Sequence, residues 1–216
     1  MNPTAHRPGS TRRFDVAIRG TGVVGQTLAL LLARDRLRVA LIGPTRTESG
    51  QPDVRAYALN AASRELLRSV RAWPETGPQD DRAPPITPVT AMQVWSDNGG
   101  ELAFSAEDQG AQALTWIVDV PALGQRLNDA VGFQSGIERV SEAPIAALTV
   151  VCEGKRSQTR AELGLDFDVR PYPHKAIAAR LRCDQPHGGV ARQWFANGEV
   201  MALLPLGGED GNSVAL

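Results

Sequence analysis

The chain has 216 residues, 42% of them hydrophobic and 22% charged, a balance typical of a soluble globular protein with room for one large domain or two small ones. With 23 Lys and Arg against 24 Asp and Glu, its net charge of −1 supplies no drive toward nucleic acid or an anionic membrane. No apolar run approaches the roughly 18 residues that a membrane span needs. The two cysteines, Cys152 and Cys183, are too few for a disulfide framework and lack metal-ligand spacing, which points to a reducing, cytoplasmic compartment.

Residues 1–13 are polar, carry no apolar core of a secretion signal, and are expected to be a disordered lead-in. Residues 14–18 (Phe-Asp-Val-Ala-Ile) read as a strand and run into Gly20-Thr21-Gly22-Val23-Val24-Gly25. Residues 26–36 read as a helix with Leu28, Leu31 and Leu32 on one face, and residues 38–42 as a buried parallel-type strand. Together they make a βαβ unit, the context in which a Gly-x-Gly-x-x-Gly motif carries weight.

A polar loop follows over 43–54, then a helix over 58–73 with Leu59, Ala62, Leu66, Leu67 and Val70 on its apolar side. Residues 74–88 are a proline-rich linker. Beyond it the apolar period changes from 3.6 to 2. Residues 91–96 and 101–105 flank an Asp97-Asn98-Gly99-Gly100 turn, a hairpin signal. A strand is expected over 115–118, a helix over 120–130 on Leu123 and Leu127, and an apolar strand over 147–152. Further strands are expected over 176–183, 190–195 and 200–204. This order predicts an α/β, Rossmann-like domain (14–88 and 147–170) holding an inserted antiparallel β-sheet domain (89–146 and 171–216).

The glycine motif has a direct physical reading. Gly20 permits the tight turn, Gly22 lets the main chain approach a pyrophosphate, and Gly25 allows the helix to pack closely on the strand. The helix N-terminus, from Val24 onward, offers free N–H groups and a partial positive charge to phosphates. An acid about 20 residues beyond the motif normally reads the ribose hydroxyls. Here Gly43 and Pro44 end the second strand, and the nearest downstream acid is Glu48.

Three stretches in order carry a family resemblance. Asp53-Val54-Arg55-Ala56-Tyr57-Ala58-Leu59 leads into the second helix, Cys152-Glu153-Gly154 opens a stretch reaching Ser157 and Arg160, and Gln193-Trp194-Phe195 precedes Leu203-Leu204-Pro205-Leu206. With the βαβ opening, this pattern resembles the class A FAD-dependent aromatic hydroxylases, most closely the ubiquinone-biosynthesis hydroxylases of the UbiH, UbiF and VisC type. The resemblance implies FAD as cofactor, bound by Gly20, Gly22, Val24, Gly25, Arg55, Glu153 and Gly154. Arg55 would lie near the pyrophosphate or isoalloxazine. Glu153 stands where the family has an aspartate that serves both FAD and NAD(P)H. Trp116, Trp194 and Phe195 are the aromatics placed near a ring-shaped substrate, although core packing competes for each.

The resemblance further implies hydroxylation of a phenolic, polyprenylated ring with NAD(P)H and O2, and association with the membrane surface or with a ubiquinone-synthesis complex. No catalytic base is assigned: His174 and His187 lie in loop contexts, and oxygen transfer belongs to the cofactor. Family members are roughly twice as long, and their second FAD motif lies beyond Leu216. The sequence therefore reads as a truncated chain, with exposed sheet surface and dimerisation expected. One alternative is a catalytically inactive fragment or an accessory member of such a complex. Another, a small NAD(P)-binding oxidoreductase, lacks its Tyr-x-x-x-Lys pair.

Overall fold

A computed structural model describes residues 14–44, 53–75, 84–208 and 210–216. The expected lead-in over 1–13 and the acid Glu48 lie outside them. In chain order the elements are β1 (Phe14–Arg19), α1 (Val23–Arg34), β2 (Val39–Ile42), β3 (Ala56–Leu59), α2 (Ala61–Ser69), β4 (Ile86–Val89), β5 (Ala91–Ser96) and β6 (Glu101–Ser105). Then come β7 (Thr115–Asp119), α3 (Val120–Gly132), β8 (Ile137–Val140), β9 (Ala146–Val151), a 3₁₀ turn (Gly154–Arg156), α4 (Gln158–Glu162), β10 (Arg180–Arg182), β11 (Val190–Ala196), β12 (Glu199–Pro205) and β13 (Ser213–Ala215).

Two units emerge, one of residues 1–46 and 134–166 and one of residues 47–133 and 167–216. This division differs from the expected one. Residues 53–75 and 84–88 group with the second unit because β3 and β4 both pair with β7, and residues 134–146 group with the first because β8 pairs with β2.

The first unit is built on a four-stranded sheet in the order β8-β2-β1-β9, with every neighbouring pair parallel. Val16 stands beside Val39 on one side and Leu148 on the other, so the two opening strands lie side by side as a βαβ unit requires. Ala17, Ile18, Val39, Ala40 and Leu41 are buried. α1 turns Gln26, Ala29 and Leu30 inward, a phase different from the expected Leu28, Leu31 and Leu32 face. The reason is local: Gly25 must face the turn, and the residues one helical turn beyond it follow it into the interior.

The second unit holds a three-stranded sheet, β3-β7-β4, and a six-stranded sheet, β10-β13-β12-β11-β5-β6. Val89, Ile117, Ala191, Leu206 and Ala215 form one buried cluster, with Ala56, Met92 and Leu204 against it. The hairpin pairs as its turn chemistry dictates, Trp95 opposite Glu101 and Ala91 opposite Ser105. The larger sheet is mixed rather than purely antiparallel, since β11 runs parallel to β5. The expected helix over 58–73 begins only at Ala61, where the Asn60 side chain accepts from the Ser63 N–H at 2.9 Å and caps it. Ala56–Leu59 instead joins β7 as a strand.

Candidate functional site

The corner where β1 gives way to α1 is shaped by its glycines. Gly20 has φ +120°, and a Cβ there would overlap the Cys152 carbonyl at the end of β9. At Gly25 a Cβ would overlap the Gly20 carbonyl oxygen, so the helix can approach the strand this closely only without a side chain. Gly22 behaves differently. It is the N-cap of α1 in extended conformation, and nothing stands within 4 Å of where its Cβ would be. Among the described residues no side chain caps this helix end, and its first turn holds no acid. The open position beside an uncapped helix N-terminus fits a diphosphate, whose oxygens can take the free N–H groups and meet the positive end of the helix dipole.

Two polar residues overlooked in the sequence support this turn. Gln26 is 4% exposed. Its Nε2 donates to the Thr21 carbonyl at 2.8 Å, and its Oε1 accepts from the Arg139 guanidinium on β8 at 3.3 Å. The amide thus ties the glycine turn to an outer strand of the sheet, and a glutamine among Gly25, Thr27, Ala29 and Leu30 on the inward side of α1 was the signal available. Thr21 donates its hydroxyl to the Pro44 carbonyl at 2.9 Å, while the Gly20 N–H donates to Ile42 at 2.8 Å, so the turn is also fastened to the end of β2.

Glu153 follows β9. Its carboxylate accepts from the Ser157 hydroxyl at 2.7 Å, the Thr159 hydroxyl at 2.9 Å and the Thr159 N–H at 3.0 Å. These bonds, the Ser157 hydroxyl foremost, hold its pKa below the usual glutamate range, with Arg19 adding a smaller attraction. Arg19, the last residue of β1, donates to Thr159 Oγ1 at 2.5 Å and to Glu162 at 3.1 Å. Both Glu153 oxygens are therefore spent on ordering the segment that leads into α4, and Gly154 (φ +73°) makes the turn within it. A shallow cleft of about 240 Å³ lies against this segment, lined among others by Glu153, Gly154, Ser157 and Arg160. Burial raises the Cys152 thiol pKa, which keeps the group protonated beside Gly20 and Gly25.

The remaining expected site residues lie in the second unit. Arg55 grips Asp53 with two hydrogen bonds, Nε to Oδ1 at 2.8 Å and a terminal nitrogen to Oδ2 at 2.7 Å, and this pairing lifts its pKa further above its ordinary value. Trp116 is buried on β7 with the Arg64 guanidinium over its ring at 4.6 Å. Trp194 stacks on Trp95 at 5.1 Å between ring centres and 12° between planes. Phe195 is the next residue on β11, so it points to the opposite face of the sheet, and one sheet face cannot present both Trp194 and Phe195 to a ring. His187 closes the turn before β11, with Nδ1 accepting from the Gly189 N–H at 3.0 Å and Nε2 against the Leu206 carbonyl at 2.9 Å. Among the described residues no cluster of His, Cys, Asp and Glu suits a metal ion, and no helix is long and apolar enough to cross a membrane.

No known family model matches the chain. It is 25% identical over 218 residues to 3-demethoxyubiquinol 3-hydroxylase of Escherichia coli, covering 89% of this chain and 54% of that protein. It is 26% identical over 221 residues to ubiquinone hydroxylase UbiL of Rhodospirillum rubrum, covering 90% of this chain and 49% of that one. The chain thus spans about half the length of the curated relatives it matches. Among solved structures it superposes on Pseudomonas aeruginosa PqsL with TM-score 0.76 at 17% identity, over 94% of this chain and 60% of that one. The flavin-dependent monooxygenase PieE, solved with FAD and substrate, matches with TM-score 0.66 at 16% identity, over 95% of this chain and 42% of that one. The chain is a homologue of the ubiquinone hydroxylases and carries the fold of the FAD-dependent monooxygenases.

Proposed function

We propose that this chain binds the ADP half of FAD at the β1–α1 corner and serves a ubiquinone-biosynthesis type of hydroxylation of a phenolic, polyprenylated ring. The observation that carries the reading is the uncapped α1 N-terminus at Gly22, open on the side where a diphosphate would lie, in a fold whose solved neighbours include a monooxygenase with FAD bound. Gly20, Gly22, Val24 and Gly25 would contribute main chain to the diphosphate, and Gln26, Arg139 and Thr21 would keep that main chain in place. Glu153 and Gly154 would shape the segment beside it, with Glu153 acting through Ser157 and Thr159. A bound flavin would supply reduction by NAD(P)H and oxygen transfer from O2. The protein's share is to orient the ring and exclude water. Trp194 is the aromatic we assign to the substrate-facing side of the six-stranded sheet. Trp116, buried under Arg64, supports its own sheet.

The test is reconstitution. Purified chain mixed with FAD and passed over a desalting column should retain flavin absorbance, and Gly22→Val should elute colourless with an unchanged far-ultraviolet circular dichroism spectrum. Retained flavin in Gly22→Val, or none in the wild type, contradicts the assignment. Turnover of NAD(P)H with a phenolic ring separates an active enzyme from an inactive or accessory polypeptide that binds the same cofactor.

A further inference from the structure

The four-stranded sheet of the first unit has two edges of opposite chemistry. β8, on one edge, carries Glu138 and Arg139, the kind of charge that keeps an edge from pairing further. β9, on the other, reads Ala-Ala-Leu-Thr-Val-Val, with neither a charge nor a proline. An all-parallel sheet normally has both faces covered. β1 and β2 are buried in this way, but among the described residues β9 is open on both faces. Leu148, in the row of Val16, is 57% exposed, and Val151, in the row of Arg19, is 41% exposed. The main chain of β9 is open as well. The Cys152 N–H donates to the Arg19 carbonyl at 2.6 Å, so alternation along the strand turns the N–H groups of Leu148 and Val150 toward β1 and those of Ala147, Thr149 and Val151 toward the free edge. The apolar surface continues past the strand, because Val151 also lines the shallow cleft, together with the exposed Leu163 and Leu165.

We infer that the free edge of β9 and the cleft beside it take a strand from the part of the ubiquinone hydroxylases that this chain does not match. The chain spans about half the length of those relatives, so the unmatched part is large enough to cover this surface. The three existing strand pairs are all parallel, and a second copy related by a two-fold axis would bring its β9 in reversed, which favours a strand from elsewhere. The incoming main chain takes the outward N–H and C=O groups of Ala147, Thr149 and Val151, and apolar side chains beyond it fill the cleft at Val151, Leu163 and Leu165. The inference does not rest on cofactor binding.

The test mixes the purified full chain, without flavin, with a separately purified polypeptide made of the unmatched part of the Escherichia coli 3-demethoxyubiquinol 3-hydroxylase, and in a second arm with that of UbiL. The expected result, with at least one of them, is a one-to-one complex in size-exclusion chromatography. In that complex, hydrogen exchange at Ala147, Thr149 and Val151 slows by about tenfold or more, while Leu148 and Val150, already bonded to β1, change little. Thr149→Pro removes an outward N–H and no bond to β1, so it should abolish the complex and leave the circular dichroism spectrum of the chain unchanged. Leu163→Asp with Leu165→Asp, which alters exposed side chains alone, should weaken the complex at least tenfold and serves if the proline variant misfolds. No complex with either polypeptide, or a complex in which the three outward amides exchange as before, overturns the inference. Slowing of those amides in the chain alone as its concentration rises gives the edge to a second copy and overturns it as well.

Discussion

Gly22 and Gly25 sit three residues apart in one motif, yet the two respond oppositely to substitution. A methyl group at Gly22 meets open space, so Gly22→Ala should leave the thermal midpoint nearly unchanged and act only on nucleotide affinity. At Gly25 the same methyl overlaps the Gly20 carbonyl, and Gly25→Ala should destabilise the chain by about 2 kcal/mol or more, read as a drop in the urea midpoint. The motif's spacing announced all three glycines. It did not announce Gln26, whose role depends on Arg139 arriving from 113 residues away. Glu153 was legible as a carboxylate after a strand, but its partners Ser157 and Thr159 fix it as an organiser of its own segment. Because its native pKa is depressed, it contributes stability above the usual glutamate range, and that contribution is lost as pH falls through the lowered native value. Glu153→Gln should therefore be less stable than wild type near neutral pH and converge with it in acid. Urea midpoints at about pH 7 and about pH 3 check this.

Elements fixed by local chemistry were the ones readable in advance. The 91–105 hairpin and the α3 helix are examples. In α3, Asp119 caps the Ala122 N–H at 2.8 Å, Pro121 sits in the first turn, and Leu123 and Leu127 face inward. Elements decided by distant partners were not. β8 reads Ile-Glu-Arg-Val, too charged and short to stand out, and becomes a strand because β2 offers a parallel edge. β4 lies at the end of the proline-rich linker and forms because β7 pairs with it. Trp95 and Trp194 belong to expected strands, but their stacking follows from the parallel β5–β11 register that sets them side by side. A double-mutant cycle with Trp95→Leu and Trp194→Leu should return a coupling of about 0.5–1.5 kcal/mol, and zero coupling would show that the rings do not support one another.

Across the whole molecule, apolar side chains remain open on the six-stranded sheet. Leu102 is 61% exposed, Val200 58%, Phe104 45% and Phe195 42%. Among the described residues β6 is an outer strand of that sheet, so it offers an unpaired edge together with these side chains. Sedimentation velocity at rising protein concentration should show association, and Leu102→Lys with Phe104→Lys should suppress it without lowering the thermal midpoint. The α/β opening and the strand return near residue 150 were legible because their apolar runs are local. How β3, β4 and residues 134–146 divide between the units depended on pairings that no local pattern encodes. The central claim is that the β1–α1 corner holds a diphosphate. Fluorescence-quenching titrations with FAD and with FMN test it most directly, because only FAD carries the diphosphate joined to adenosine. The account predicts that FAD binds at least a hundredfold, about 2.7 kcal/mol, more tightly than FMN; equal affinities for the two would contradict it.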